Sequence, residues 1–313
     1  MKNILKKIGT LIITLLVVSF LTFIAFEVIP GDSVTNQLGM DATKEQVEAL
    51  REELGYNDPI VVRYGNWLRD VLQGDFGTSS RYNVTVEQLV GQRLPVTVGL
   101  ALLSILLIVI ISLPLGIFSA GKRGSRFDSL IVFMNQLGMA IPPFFMGMII
   151  TLLFGLIFKW FTPGKLPSIE NDFGGFVYYL MFPAVAIAIP KIAMLVKFLR
   201  SSVLRQIELD YVRTAKSKGL KYRSVLYRHV LKNALIPVIT FLAMMIAEVL
   251  AGSIIVEQVF NLPGLGRLLI VAISNRDYTV VQAIVLYITT IVLVMNMIVD
   301  ILYEYLDPRV RLD

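Results

Sequence analysis

Six long runs of predominantly apolar residues constrain this chain more than any other feature. They cover roughly residues 8–29, 96–120, 130–158, 178–198, 234–256 and 281–305. About 20 such residues in a helix span a hydrocarbon core about 30 Å thick. A helix also satisfies its own backbone polar groups where no water can. With 56% of residues hydrophobic and 17% charged, a soluble core could not hide this surface. The pattern predicts an all-α integral membrane protein with six transmembrane helices. The third and sixth runs are long enough to tilt or to extend past the bilayer.

The first run follows Lys2, Lys6 and Lys7, as a secretory leader would. Its apolar length exceeds the usual stretch of about 7–15 residues, and no small-residue cleavage pattern follows. It reads as a retained anchor. Six spans put both termini on one side. With the termini inside, the inner segments hold 19 of the 29 Lys and Arg residues. The short loop 121–128 carries Lys122, Arg123 and Arg126, and residues 191–233 carry 11 basic residues against Glu208 and Asp210. The positive-inside rule places these on the cytoplasmic face. The net charge of +6 is therefore an orientation signal and implies no nucleic acid. Lys191 and Lys197 are expected to snorkel to that face.

The chain has no cysteine and one histidine, His229, beside Arg228. Disulfides and thiolate chemistry are thereby excluded, a histidine-built metal site or proton relay has almost nothing to work with, and His229 reads as a packing or capping residue rather than a metal ligand. No phosphate-binding glycine loop ending in Lys-Ser or Lys-Thr occurs, and Gly264-Leu265-Gly266 follows no strand. No acidic pair stands at catalytic spacing. The Met residues read as core filler.

Between the first two runs, residues 31–95 contain helical signals. Thr43 and Gln46 have capping-box spacing; Val47, Leu50 and Leu54 share a face, and Gly55 can end that helix. After Pro59, the residues Ile60, Tyr64, Trp67, Leu68, Val71 and Leu72 form an apolar stripe closed by Gly74. A third short helix is predicted from Thr85, with Gln88 in capping position before Leu89 and Val90. Such helices can lie on the bilayer, pack on their own protein or receive an external partner.

The segment between the fourth and fifth runs carries the functional argument. Asp210 is a suitable N-cap and Gly219 a suitable C′ residue, predicting a short helix over 211–218. Lys216 and Lys218 lie near its C-terminus, where the helix dipole favours cations. Thr214 and Ala215 are small enough for close approach by another surface. A second amphipathic helix follows, with Tyr222, Val225, Leu226 and Val230 on one face, and Pro237 sits in the first turns of the next span. The two short helices form a cytoplasmic knob. By physics alone this could equally be a basic loop drawn to anionic lipid.

These residues resemble the Glu-Ala-Ala loop of binding-protein-dependent ABC importer permeases. Arg213-Thr214-Ala215 occupies the signature triplet and Gly219 the family's glycine. The departure from Glu-Ala-Ala, with Asp210-Tyr211-Val212 before it and Lys218-Gly219-Leu220 after it, looks like the oligopeptide, dipeptide and nickel branch. Pro30-Gly31-Asp32, Gly74-Asp75-Phe76-Gly77 with Ser79, Gly252-Ser253 with Glu257, Pro263-Gly264-Leu265-Gly266, Arg276-Asp277-Tyr278 and Asp307-Pro308-Arg309 extend the likeness along the chain.

The resemblance implies a type I importer permease fold: an anchor helix over 1–30, an extracytoplasmic helical segment over 31–95, and a five-helix core over 96–313 with its coupling loop at 201–233. It implies a second, similar permease, two cytoplasmic ATP-binding subunits that hold ATP and Mg, and an extracytoplasmic binding protein. The chain itself would need no cofactor and perform no bond chemistry. Asp210, Tyr211, Arg213, Thr214, Ala215, Lys218, Gly219 and Leu220 would contact the ATPase. Glu248, an ionisable group inside a span, is a functional candidate, with Gly252 and Ser253 beside it as path residues. An interface or structural role for Glu248 is the alternative. Glu257 and Asp300, nearer span ends, read as structural. Gly138 and Pro142-Pro143 could bend the third span, although packing is the plainer reading.

Di- or oligopeptides are the expected cargo, with nickel or a metal chelate as the alternative. An ion-coupled secondary transporter would need intramembrane charge relays or an inverted repeat, neither of which stands out. The branch implies a bacterial cytoplasmic membrane.

Overall fold

A computed structural model describes residues 2–28, 43, 45, 46 and 58–306. The motifs Pro30-Gly31-Asp32 and Asp307-Pro308-Arg309, the stripe Val47, Leu50 and Leu54, Gly55 and the side chain of Asp300 lie outside the described residues. The described elements are helices. Five are long and apolar enough to cross a membrane, or six if a bent pair is counted as one span. The chain packs as two compact units, Met1–Val96 with Pro263–Leu293, and Thr97–Leu262 with Val294–Asp313.

In the first unit, α1 (Lys2–Val28) receives α2 (Ile60–Leu72) on its aromatic face. The Tyr64 ring lies 5.0 Å from that of Phe20, and Trp67 lies 5.5 Å from Phe23. The Tyr64 hydroxyl also meets Ser19 Oγ at 2.8 Å. Tyr64 and Trp67 of the stripe thus pack on their own chain, whereas Ile60 and Leu72 are exposed. Ahead of it, Thr43 and Gln46 form a reciprocal capping box: each backbone N–H reaches the other's side-chain oxygen, at 3.0 and 3.3 Å.

The third short helix expected from Thr85 does not stand alone. It is the opening of α3 (Val86–Gly121), one helix of 36 residues. Pro95 does not break it, since transmembrane helices tolerate proline where neighbours satisfy the freed carbonyl. Val86, Leu89 and Val90 instead join a core with Leu265, Leu268 and Ala272 of α10 (Leu265–Ser274) and Val280, Val281 and Ile284 of α11 (Tyr278–Leu306).

The second unit is organised around α6 (Phe173–Ile207), which packs against α4 (Arg126–Ala140), α5 (Pro143–Ile150) and α9 (Leu231–Val259). Helix α5 continues through wider, π-type turns over Thr151–Ile157. Helices in lipid gain little from hiding apolar surface, so close backbone approach through small residues matters. A Cβ on Gly116 would lie 2.8 Å from Leu199 Cδ2, and one on Gly138 would lie 3.1 Å from Ala193 Cβ.

The third apolar run is not one straight span. Helices α4 and α5 meet at 97°. Ile141 and Pro142 are both extended, at φ −95° and ψ 119° and at φ −63° and ψ 147°. Each precedes a proline, which disfavours the helical region, and Pro143 then opens α5 where a missing N–H costs nothing. The bend, and not packing alone, is what the proline pair produces.

Helix α7 (Asp210–Ser217) follows α6 directly. The second short helix of the expected knob is not separate: α8 (Tyr222–Val225) passes through π-type turns at Leu226–Val230 straight into α9. No breaker lies between Tyr222 and Pro237, and Pro237 is accommodated inside α9.

Candidate functional site

Helix α7 begins where the backbone turns extended at Leu209, φ −79° and ψ 152°. Asp210 is its first residue and not its N-cap, because Leu209 occupies the cap position and no side chain caps the helix. The Asp210 carboxylate still favours the positive end of the helix dipole, and it accepts from Arg213 at 3.3 Å. Both groups are exposed, so this pair contributes little stability. At the other end Gly219 adopts φ +79°, a left-handed conformation that glycine enters without steric cost. Its N–H donates to the Lys216 carbonyl at 2.9 Å.

Two residues fix which face of α7 is presented. Val212 and Ala215 are buried, and the Tyr211 hydroxyl donates to Gln206 Oε1 at 2.8 Å. Arg213, Thr214, Lys218, Gly219 and Leu220 are exposed. The Thr214 hydroxyl turns back to the Asp210 carbonyl at 3.0 Å. Leu220, Tyr222 and Tyr227 add exposed apolar surface beside the helix tip. A basic rim around exposed Leu and Tyr is what a protein partner can cover.

Seven residues before the end of α6, Arg200 enters a cluster that sequence reading did not single out. Asp128, at the start of α4, is 4% exposed. Arg200 of α6 donates to both its oxygens, at 2.7 and 2.8 Å. Ser119 of α3 donates to Oδ1 at 2.5 Å, and the Gly124 N–H to Oδ2 at 3.0 Å. One carboxylate thereby joins α3, the 121–125 turn, α4 and α6. The spacing Ser125-x-x-Asp128 was the available signal, because Ser125 Oγ accepts from the Asp128 N–H at 3.2 Å. Arg200 has no such local signature.

Within the spans, Lys191 of α6 pairs with Glu248 of α9. Lys191 directs its ammonium to this partner. It lies near the midpoint of a 35-residue helix and is satisfied there by the carboxylate. Gly252, one turn on from Glu248, is half-buried, and a Cβ added to it would meet nothing within 4 Å. Ser253 is fully buried and donates to the Leu250 carbonyl at 2.7 Å. Glu257 is also fully buried and accepts from Thr97 Oγ1 at 2.7 Å. His229 is half-buried, and its carbonyl accepts from Asn233 at 3.3 Å.

In the first unit, two motifs distant in sequence meet. Ser79 donates to Asp277, and both are 1% exposed. Gly77, at φ +83°, leaves room for Thr279 Cγ2, which a Cβ would approach to 3.1 Å. Glu87 closes the same turn by accepting from the Phe76 N–H at 2.5 Å.

Long apolar helices joined by short exposed ones define a multi-pass membrane protein. A family model for the binding-protein-dependent transport system inner membrane component matches residues 112–312, and one for the N-terminal part of such membrane components matches residues 1–101. The chain belongs to this family of ABC importer permeases and has its type I importer fold. It is 38% identical to the oligopeptide transport system permease protein AppB of Bacillus subtilis (strain 168), over 95% of both chains. It is also 32% identical to the dipeptide transport system permease protein DppB of Alkalihalophilus pseudofirmus, over 98% of both.

Proposed function

We propose that this chain is a transmembrane permease subunit of an ATP-driven importer of di- or oligopeptides in a bacterial cytoplasmic membrane, with both termini in the cytoplasm. The relatives' names, at this identity over nearly the full chain, support peptides over nickel or a chelate. The chain pairs with a second permease, two ATP-binding subunits and an extracytoplasmic binding protein. ATP and Mg are held by the ATPases, and this chain catalyses no bond chemistry.

The observation that carries the coupling role is helix α7, presented outward on buried Val212 and Ala215 and ended by left-handed Gly219. Arg213, Thr214, Lys218, Gly219 and Leu220 form the exposed face that an ATPase cleft receives. Tyr211 and Ala215 support it from beneath. ATP-driven closure of the ATPase pair carries α7 with it, biasing the spans between inward-open and outward-open arrangements.

Purification of the tagged chain in mild detergent, as wild type and as Gly219→Asp, tests this reading. Wild type should bring an ATPase and a second permease, and the variant should lose the ATPase alone. A folded chain that purifies by itself from its native membrane overturns the assignment.

A further inference from the structure

We propose that Lys191 and Glu248 form a charge-exchange site for the peptide in transit, Glu248 meeting its ammonium group and Lys191 its carboxylate. The inference rests on the peptide-importer reading and goes beyond it by assigning a substrate contact to named residues.

The exposed surface of α9 carries the argument. Asn233, Pro237, Thr240, Met244 and Glu248 are exposed and lie three or four residues apart, so they share one helix face. Gly252 continues it with open space at its Cα. Helix α3 offers a comparison within the same unit: its exposed positions include Leu102, Leu106, Ile110 and Phe118, an apolar face suited to lipid. The α9 face, with an amide, a hydroxyl and a carboxylate, is not suited to lipid, where an ionised group is costly.

The pair itself is asymmetric. The Lys191 side chain is 14% exposed and that of Glu248 is 51% exposed. The carboxylate therefore faces outward while its lysine is held behind it. In a low-dielectric setting, removing either partner leaves an uncompensated charge. A zwitterionic peptide supplies one group of each sign, so once it is bound neither Lys191 nor Glu248 is left without a counter-charge. When the peptide leaves, Lys191 and Glu248 close on each other again. A site with an internal competitor binds weakly enough to release its cargo, as a transport path requires.

The test exploits the absence of cysteine in this chain. Met244→Cys and, separately, Gly252→Cys each place a single thiol one turn from Glu248. In the complete importer in proteoliposomes, modification of the tagged chain is followed with a cationic and an anionic methanethiosulfonate reagent, with and without a tripeptide. The cationic reagent should react about tenfold faster, and the tripeptide should slow it severalfold. Adding Glu248→Gln should abolish both the charge preference and the protection, while the ATPase still co-purifies. If neither thiol reacts with either charged reagent, the face is covered by protein or lipid and the proposal fails. It fails equally if protection survives Glu248→Gln. Tripeptide uptake by the wild-type importer is measured alongside. Uptake without protection overturns this site alone, whereas no peptide uptake overturns the peptide reading and the site with it.

Discussion

Arg200 grips Asp128 through two parallel hydrogen bonds of 2.7 and 2.8 Å, between residues 72 positions apart in the chain. This planar, two-pronged geometry suits a guanidinium and not an ammonium. The carboxylate is nearly inaccessible, so its charge depends on this partner and on Ser119.

Removing Arg200 should therefore strand a buried charge. Arg200→Met is expected to destabilise the assembled permease by about 3–5 kcal/mol. Arg200→Lys keeps the charge, loses the fork and should cost less. Thermal unfolding of the purified complex in detergent measures both, and equal losses for Lys and Met would contradict the fork argument.

The Ser79–Asp277 contact leads to a different ordering. Asp277 Oδ1 has no hydrogen-bond partner among the described residues, and Ser79 Oγ also accepts from the Tyr82 N–H at 3.1 Å. Ser79→Ala removes both bonds from a buried position and should cost about 1–3 kcal/mol. Asp277→Asn keeps an acceptor for Ser79 while discharging a buried group, so its loss should be smaller. The same melting experiment ranks the two; a larger loss for Asp277→Asn would mean that the charge itself is required.

At Gly219, backbone strain separates from bulk. A Cβ there would meet nothing within 4 Å, so Gly219→Ala pays only for the left-handed conformation, about 1 kcal/mol. Gly219→Asn, better tolerated at positive φ, should be milder, and Gly219→Val worse. ATPase retention on the purified permease should fall in the order Asn, Ala, Val.

Two other glycines make a contrasting pair. Gly116→Ala drives a methyl into Leu199 and should cost about 1–3 kcal/mol through overpacking. Gly252→Ala meets open space, and its helix propensity favours it by about 1 kcal/mol. Opposite shifts in melting temperature are expected. A stabilising Gly116→Ala would show that Leu199 can move aside.

The spans were legible in sequence because apolar length is a one-dimensional signal. The same signal is blind to direction, and α4 and α5 share one apolar run while turning through 97°. Pro142-Pro143 held that information, but a proline pair only permits a bend until its surroundings decide. Pro95 and Pro237 illustrate the converse, lying inside helices that continue. Capping chemistry was readable at Thr43 and Gln46, whereas at Asp210 it misled by one residue. For α7, residue pattern located the helix and its glycine end. It could not reveal the ion pairs of α6, since Arg200 with Asp128 and Lys191 with Glu248 are pairings across 72 and 57 positions. No local periodicity encodes such a pairing.

Helix α6 joins the regions described separately above. From Lys191 to Ile207 it contains no proline, so over about 24 Å it behaves as a stiff rod. Arg200 clamps this rod near its middle, α7 hangs just beyond one end, and Lys191 marks the other. With Arg200 as the pivot, the arm to Lys191 is about 14 Å, so a tilt of about 10° displaces Lys191 by about 2 Å. That distance is enough to part an ion pair. A push delivered at α7 can therefore arrive at Lys191 as the opening or closing of a charge contact, with the helix serving as a lever and Arg200 as part of its fulcrum.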